Sequence, residues 1–253
     1  MTAIPLQTTV HGSGPGLVLA HGAEGGIEAN FGPVLPALAR THTVVGSDYP
    51  ADDTPLTLDG LADALVAAAV AAGVETFTIA GFSLGTAVAV RAAARHPERV
   101  TGLLLTAGFA APDNRARLIV RSWQDLIDRE DRAGFARLAL VTGFSSRYLD
   151  DLSRETVDEL VDGIGASIPG GTWQQADLVD RADTTADLPG ITVPTLVVAT
   201  TADLLIDPVN SRALAAAIPG AEYAEIDAGH VVMAEQPDAW EKLLTDFLER
   251  HRL

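Results

Sequence analysis

Cysteine is absent from the 253-residue chain. Disulfides and thiolate metal sites are thereby excluded, and the composition is compatible with a reducing cytosol. Lysine is nearly absent too: Lys242 stands alone, and the other cations are arginine. With 34 acidic residues against 17 basic ones the formal charge is −17. Such a surface repels nucleic acid and anionic membranes, so neither is expected as a partner. No apolar run is long and uncharged enough to span a bilayer. The opening Met1-Thr2-Ala3-Ile4-Pro5 has no basic segment leading into an apolar core, so no secretory signal is read and a cytoplasmic location is expected. Internal repeats, low-complexity tracts, G-x-G-x-x-G and Walker patterns are missing as well. No cofactor or metal is expected, only a small-molecule substrate and a monomer or homodimer. What remains is 47% hydrophobic and 20% charged, a balance that suits one globular domain with an insertion.

Short apolar runs alternate with helical periodicity through the first part of the chain. Leu6 to Val10, Leu17 to Ala20, Thr43 to Ser47, Phe77 to Ala80 and Leu103 to Leu105 read as strands. Phe31 to Arg40 reads as one short helix begun by Pro33 or Pro36, and Leu58 to Ala72 as a longer one stopped by Gly73. From Pro112 to about Leu188 the strands cease, and amphipathic segments follow one another. Trp123 and Tyr148 in that stretch are candidates to face a substrate, with ordinary core packing as the alternative use. Alternation then resumes with a strand at Pro194 to Thr200, a helix at Val209 to Ile218, a strand at Glu222 to Ile226 and a last helix at Pro237 to His251. Strands alternating with helices imply a mostly parallel sheet covered on both faces.

The stretch Gly81-Phe82-Ser83-Leu84-Gly85 lies where an apolar strand turns sharply into an Ala/Val-rich helix. A serine at such an apex projects above the sheet, and the Leu84 amide at the helix start can face a developing oxyanion. A serine hydroxyl is a poor nucleophile at neutral pH. It needs a base, and the base needs an acid to fix its tautomer. His230 follows a strand through a glycine turn, on the same sheet edge as Ser83. Asp203 sits at the exit of the preceding strand and is preferred as the acid; Asp207 and Asp227 are its rivals. The loop His21-Gly22-Ala23-Glu24-Gly25-Gly26 closes an earlier strand, where the Ala23 amide is a candidate second oxyanion donor and His21 a structural residue. Glu24 beside it is either a surface carboxylate or a specialised substrate or acid/base group.

Taken with His96-Pro97-Glu98-Arg99, Val193-Pro194-Thr195 through Asp203, Gly229-His230 and Glu235-Gln236-Pro237, these pieces make the chain resemble an α/β-hydrolase fold protein with a helical cap. The resemblance implies an α/β architecture of about seven to eight strands, with residues 1–108 and 189–253 as core and 109–188 as cap. It implies Ser83 as nucleophile, His230 as base, Asp203 as orienting acid, and the Ala23 and Leu84 amides as oxyanion hole. One strand of the usual eight is in question because the amino terminus is short. The loop Tyr49-Pro50-Ala51-Asp52-Asp53 departs from the Arg-Gly-x-Gly character usual there. The leading expectation is hydrolysis of a small or medium, largely apolar ester, lactone or thioester through a Ser83 acyl-enzyme. Alternatives are C–C cleavage, acyl transfer, perhydrolysis or elimination on the same scaffold, and a ligand-binding protein without turnover.

Overall fold

The computed structural model describes residues 4–253, and the first three residues of the expected core lie outside that range. The elements are β1 (Gln7–Gly12), β2 (Gly16–Ala20), α1 (Ile27–Phe31), α2 (Leu35–Leu38), β3 (Thr43–Asp48), α3 (Leu58–Ala71), β4 (Phe77–Phe82), α4 (Leu84–Arg95) and β5 (Val100–Thr106). Five helices follow with no strand among them: α5 (Asn114–Asp128), α6 (Arg132–Gly143), α7 (Ser146–Asp150), α8 (Arg154–Ala166) and α9 (Thr172–Arg181). Then come β6 (Thr195–Thr200), α10 (Pro208–Ala217), β7 (Glu222–Ile226), α11 (Val232–Glu235) and α12 (Pro237–His251). No helix among the described residues is long and apolar enough to cross a membrane.

Among the described residues, seven strands form one sheet in the order β1-β3-β2-β4-β5-β6-β7, with β1 antiparallel to β3 and every other pair parallel. The period of two along each strand divides the core. Val18, Val45, Ile79, Leu103, Leu105 and Val197 face one layer with α3, α4 and α10. Leu17, Leu19, Val44, Ala80, Leu104 and Val198 face the other, with α1, α2, α11 and α12. Strands buried on both sides are continuous apolar runs, which is why they were legible as such.

Two expectations need correction. The single helix over Phe31 to Arg40 is two short helices, α1 and α2, because Pro33 has no N–H to continue the first and Gly32 ends it by donating to the Glu28 carbonyl. Pro36 sits in the first turn of the second, where its missing donor costs nothing. The one-turn helix α11 was not anticipated, since four residues carry no readable period. Side-chain caps fix the start of four of the inserted helices: Asp113, Asp131, Ser145 and Ser153 each accept from the amide three residues on.

Candidate active site

Helix α4 approaches the ends of strands β2 and β4 so closely that the two glycines around Ser83 have no room for a side chain. A Cβ on Gly85 would lie 1.9 Å from the Ala20 carbonyl oxygen, and one on Gly81 would lie 2.5 Å from that of Gly85. The turn between them forces Ser83 to φ 52 and ψ −120, a strained conformation for a residue with a side chain. Three hydrogen bonds hold it: the Ser83 N–H donates to the Thr106 carbonyl at 3.0 Å, and its own carbonyl accepts from Thr86 N at 2.9 Å and Thr86 Oγ1 at 2.7 Å. The Leu84 amide begins the helix and donates to no described residue, as expected at the first turn.

Of the three acids weighed for the histidine, the structure pairs Asp203 with it. His230 Nδ1–H donates to Asp203 Oδ2 at 2.7 Å, with both residues buried. Asp203 is itself locked: Oδ2 also accepts from Thr200 Oγ1 at 2.9 Å, and Oδ1 accepts from the Leu205 and Ile206 amides at 2.9 and 2.8 Å. The carboxylate has no freedom to rotate, so it fixes the imidazole and leaves Nε2 without a protein partner among the described residues. Asp207 instead caps α10, and Asp227 pairs with Arg147 at 2.7 Å. The His230 ring lies 5.0 Å from that of Phe82, the residue before Ser83. No Ser83–His230 hydrogen bond is formed in this arrangement; such contacts often tighten only around substrate.

The loop after β2 sits against the serine turn, since a Cβ on Gly22 would fall 3.1 Å from that of Ser83. His21 is buried and braces it. Its Nδ1–H donates to the Gly22 carbonyl at 2.7 Å, and its Nε2 accepts the Tyr49 amide at 3.0 Å. Burial holds its pKa down at about 4, so the ring is neutral and its tautomer fixed. Tyr49, in the departing loop, packs its ring against it, tilted by 31° with centroids 3.8 Å apart. Gly22 N–H donates to Asn30 Oδ1 at 2.7 Å, while the Ala23 amide donates to no described residue. Glu24 takes a left-handed backbone at φ 60, and its N–H donates to Gln175 Oε1 on α9 at 3.1 Å. Desolvation pushes the Glu24 carboxyl up to about 8.

A cavity of about 270 Å³ opens between this loop, His230 and the inserted helices. Ala23, Glu24, Phe82, Trp123, Phe144 and Met233 are among its lining residues. Trp123 lines it; Tyr148 does not, stacking instead on Phe144 at 5.0 Å. Among the described residues no three His, Asp or Glu side chains gather as a metal-holding group.

The chain matches the alpha/beta hydrolase fold over residues 15–237. It belongs to the α/β-hydrolase family. Its relatives include pyrrolizixenacetamide deacetylase of Xenorhabdus hominickii, 35% identical over 247 residues that cover 94% of this chain and 92% of that protein. Another is the pimeloyl-[acyl-carrier protein] methyl ester esterase of Neisseria meningitidis, 30% identical with 87% and 88% covered. Among solved structures the enol-lactonase from Burkholderia xenovorans superposes with a TM-score of 0.86 at 25% identity, covering 98% and 99% of the two chains. Membership of this family, with relatives named as hydrolases, supports an enzyme.

Three residues that position this α/β-hydrolase site escaped sequence reasoning. Glu235 binds Ser145 N at 2.7 Å, Ser145 Oγ at 2.6 Å and Gly229 N at 3.1 Å, tying the inserted helices to the His230 loop. Thr200 and Gln175 hold Asp203 and Glu24. Glu235 lay within the quoted Glu235-Gln236-Pro237, yet its partner is 90 residues away. Gln175 has no local signal at all, being 151 residues from the amide it meets.

Proposed function

We propose that this chain is a serine hydrolase that cleaves a small or medium, largely apolar acyl compound through an acyl-enzyme on Ser83. Ser83 Oγ attacks the carbonyl carbon while His230 Nε2 takes its proton, and Asp203 stabilises the resulting imidazolium. The Ala23 and Leu84 amides, free of protein acceptors, stabilise the tetrahedral oxyanion. His230 then protonates the leaving group and activates water for deacylation. In this reading the helices between β5 and β6 act as a cap, and the cavity beneath them, at the small end for ligand pockets, sets the acyl size. An ester, lactone or thioester is the expected bond. The relative 35% identical to this chain is named for an acetamide, which brings amides within the same chemistry.

The observation that carries the reading is the buried Asp203–His230 pair, its outer nitrogen unpartnered, beside a serine on a strained turn. Intact-mass labelling with a fluorophosphonate tests it, alongside turnover of para-nitrophenyl acetate and octanoate. One adduct is expected on the wild type and none on Ser83→Ala. Ester turnover should fall at least about 10⁴-fold in that variant, with the acetate preferred by the wild type. A folded wild type that takes no label would put the ligand-binding alternative in front.

A further inference from the structure

Asn30 is a buried polar residue on the short helix α1, and the serine chemistry assigns it nothing. Asparagine is a poor helix former and mostly stands at protein surfaces, so local propensity does not place it there. The helix that carries it is a fixed point. Ile27 and Phe31, on either side of it, are buried in the core, and the Ile27 amide donates to Asp48 Oδ1 at 2.7 Å. The loop after β2 folds around its side chain. Gly22 N–H donates to Asn30 Oδ1 at 2.7 Å, and this bond fixes which end of the carboxamide faces Gly22, because a donor needs the oxygen. A Cβ on Gly25 would lie 3.1 Å from Nδ2 at the other end, and the Asn30 N–H donates to the Gly26 carbonyl at 3.1 Å.

These contacts sort the polar groups of the loop. Gly22 N–H goes to Asn30, Glu24 N–H goes to Gln175, and the Gly22 carbonyl accepts from His21 Nδ1 at 2.7 Å. The Ala23 N–H shares a peptide plane with that carbonyl and lies trans to it. The plane is held through its own carbonyl and through the amide before it. The Ala23 N–H is thereby turned away from His21, with no acceptor among the described residues. Ala23 lines the cavity beside His230.

We infer that Asn30 is a positioning residue of this enzyme: by holding the Gly22 amide it aims the Ala23 N–H at the oxyanion formed on Ser83. The inference rests on the serine-hydrolase reading. A donor aimed before the reaction meets the developing charge without having to reorient. A loop released at Gly22 keeps the donor but lets it swing. Asn30 therefore acts on the transition state and leaves substrate binding almost unchanged.

The test pairs two inhibitors of equal size. In 1,1,1-trifluorohexan-2-one the carbonyl carbon accepts Ser83 Oγ, the serine proton passes to His230, and the carbonyl oxygen becomes a hemiketal oxyanion. 1,1,1-Trifluorohexan-2-ol fills the same space and forms no oxyanion. Asn30→Leu is nearly isosteric and has no acceptor for Gly22. In that variant the ketone's Ki should rise about 10- to 100-fold, less than the loss of an oxyanion donor outright. Ester kcat should fall by a similar factor, with ester KM and the alcohol's Ki within about twofold of the wild type. A folded leucine variant that binds the ketone like the wild type overturns the proposal. So does equal weakening of ketone and alcohol, the mark of a collapsed cavity. If the leucine variant does not fold, Asn30→Ser, whose side chain is too short to reach Gly22, carries the same comparison. Fluorophosphonate labelling separates the two readings. A wild type labelled on Ser83 with unchanged ketone binding in the variant sinks the positioning role alone, whereas a wild type without label sinks the serine mechanism beneath it.

Discussion

Two loops meet at the site, and each places a side chain on a left-handed backbone residue: Ser83 at φ 52 and Glu24 at φ 60. Their supports differ. Ser83 is clamped by the core itself, by strand β4, helix α4 and the carbonyl of Thr106 on β5. Glu24 is clamped partly from outside the core, by Gln175 on an inserted helix. The strain at the first loop is therefore built into the fold, while that at the second depends on the insertion. A scaffold of this kind keeps its serine fixed and lets the inserted helices decide what is placed beside it.

The largest effect that would probe the first loop is Asp203→Asn. All four acceptor roles of the carboxylate are taken, by His230, Thr200 and two amides. An amide NH₂ at either position opposes a donor, and against His230 it forces the wrong tautomer. Ester kcat should fall about 10³- to 10⁴-fold. Next comes Gly85→Ala, whose Cβ would meet the Ala20 oxygen at 1.9 Å. A loss of at least about 3–5 kcal/mol in urea unfolding is expected, and a near-neutral result would break the claim that the core clamps this turn.

The second loop is sharpened by Glu24→Gln. The Glu24 carboxyl ionises near 4.5 when unfolded and near 8 when folded. Between those values the unfolded chain has lost a proton that the fold retains, so stability falls as pH rises through that window and levels off above it. Removing the ionisation should make the variant more stable than the wild type by about 2–3 kcal/mol above pH 8, less than the full shift because the carboxyl opens into the cavity, and by little at pH 4.5. Denaturant midpoints across that range decide it. His21 works in the opposite sense. Its pKa is held down at about 4, so its contribution is present above pH 6.5 and lost as pH falls toward 4. The smallest change belongs to Gln175→Ala, which frees the Glu24 amide. About 1 kcal/mol of stability should be lost, with no change in fluorophosphonate labelling of Ser83. A loss as large as that of Gly85→Ala would erase the distinction between the loops.

Much of this was legible because the signals are local. A strand buried on both faces must be continuously apolar, and a serine turn this tight must be flanked by glycines; both rules can be read within ten residues. The junction at Pro33 was misread because Gly32 and Pro33 break a helix whose two halves keep a similar apolar spacing. Tyr148 and Trp123 looked alike as aromatics on amphipathic segments, yet one stacks outside the cavity and the other lines it. Periodicity gives a face but not what lies opposite it.

The alternation of strands and longer helices, the serine turn and the short set of candidate acids and base were determined by the sequence alone, because each follows from neighbours in the chain and from the chain order of the motif. Only the tertiary structure decided which of three acids meets His230, that Glu24 borders the cavity with an unpartnered carboxyl, and that Gln175 and Glu235 bind the inserted helices to the two loops. Those contacts join residues up to 151 positions apart. A carboxyl's protonation is likewise set by the solvent that surrounding elements exclude, a quantity no stretch of sequence contains.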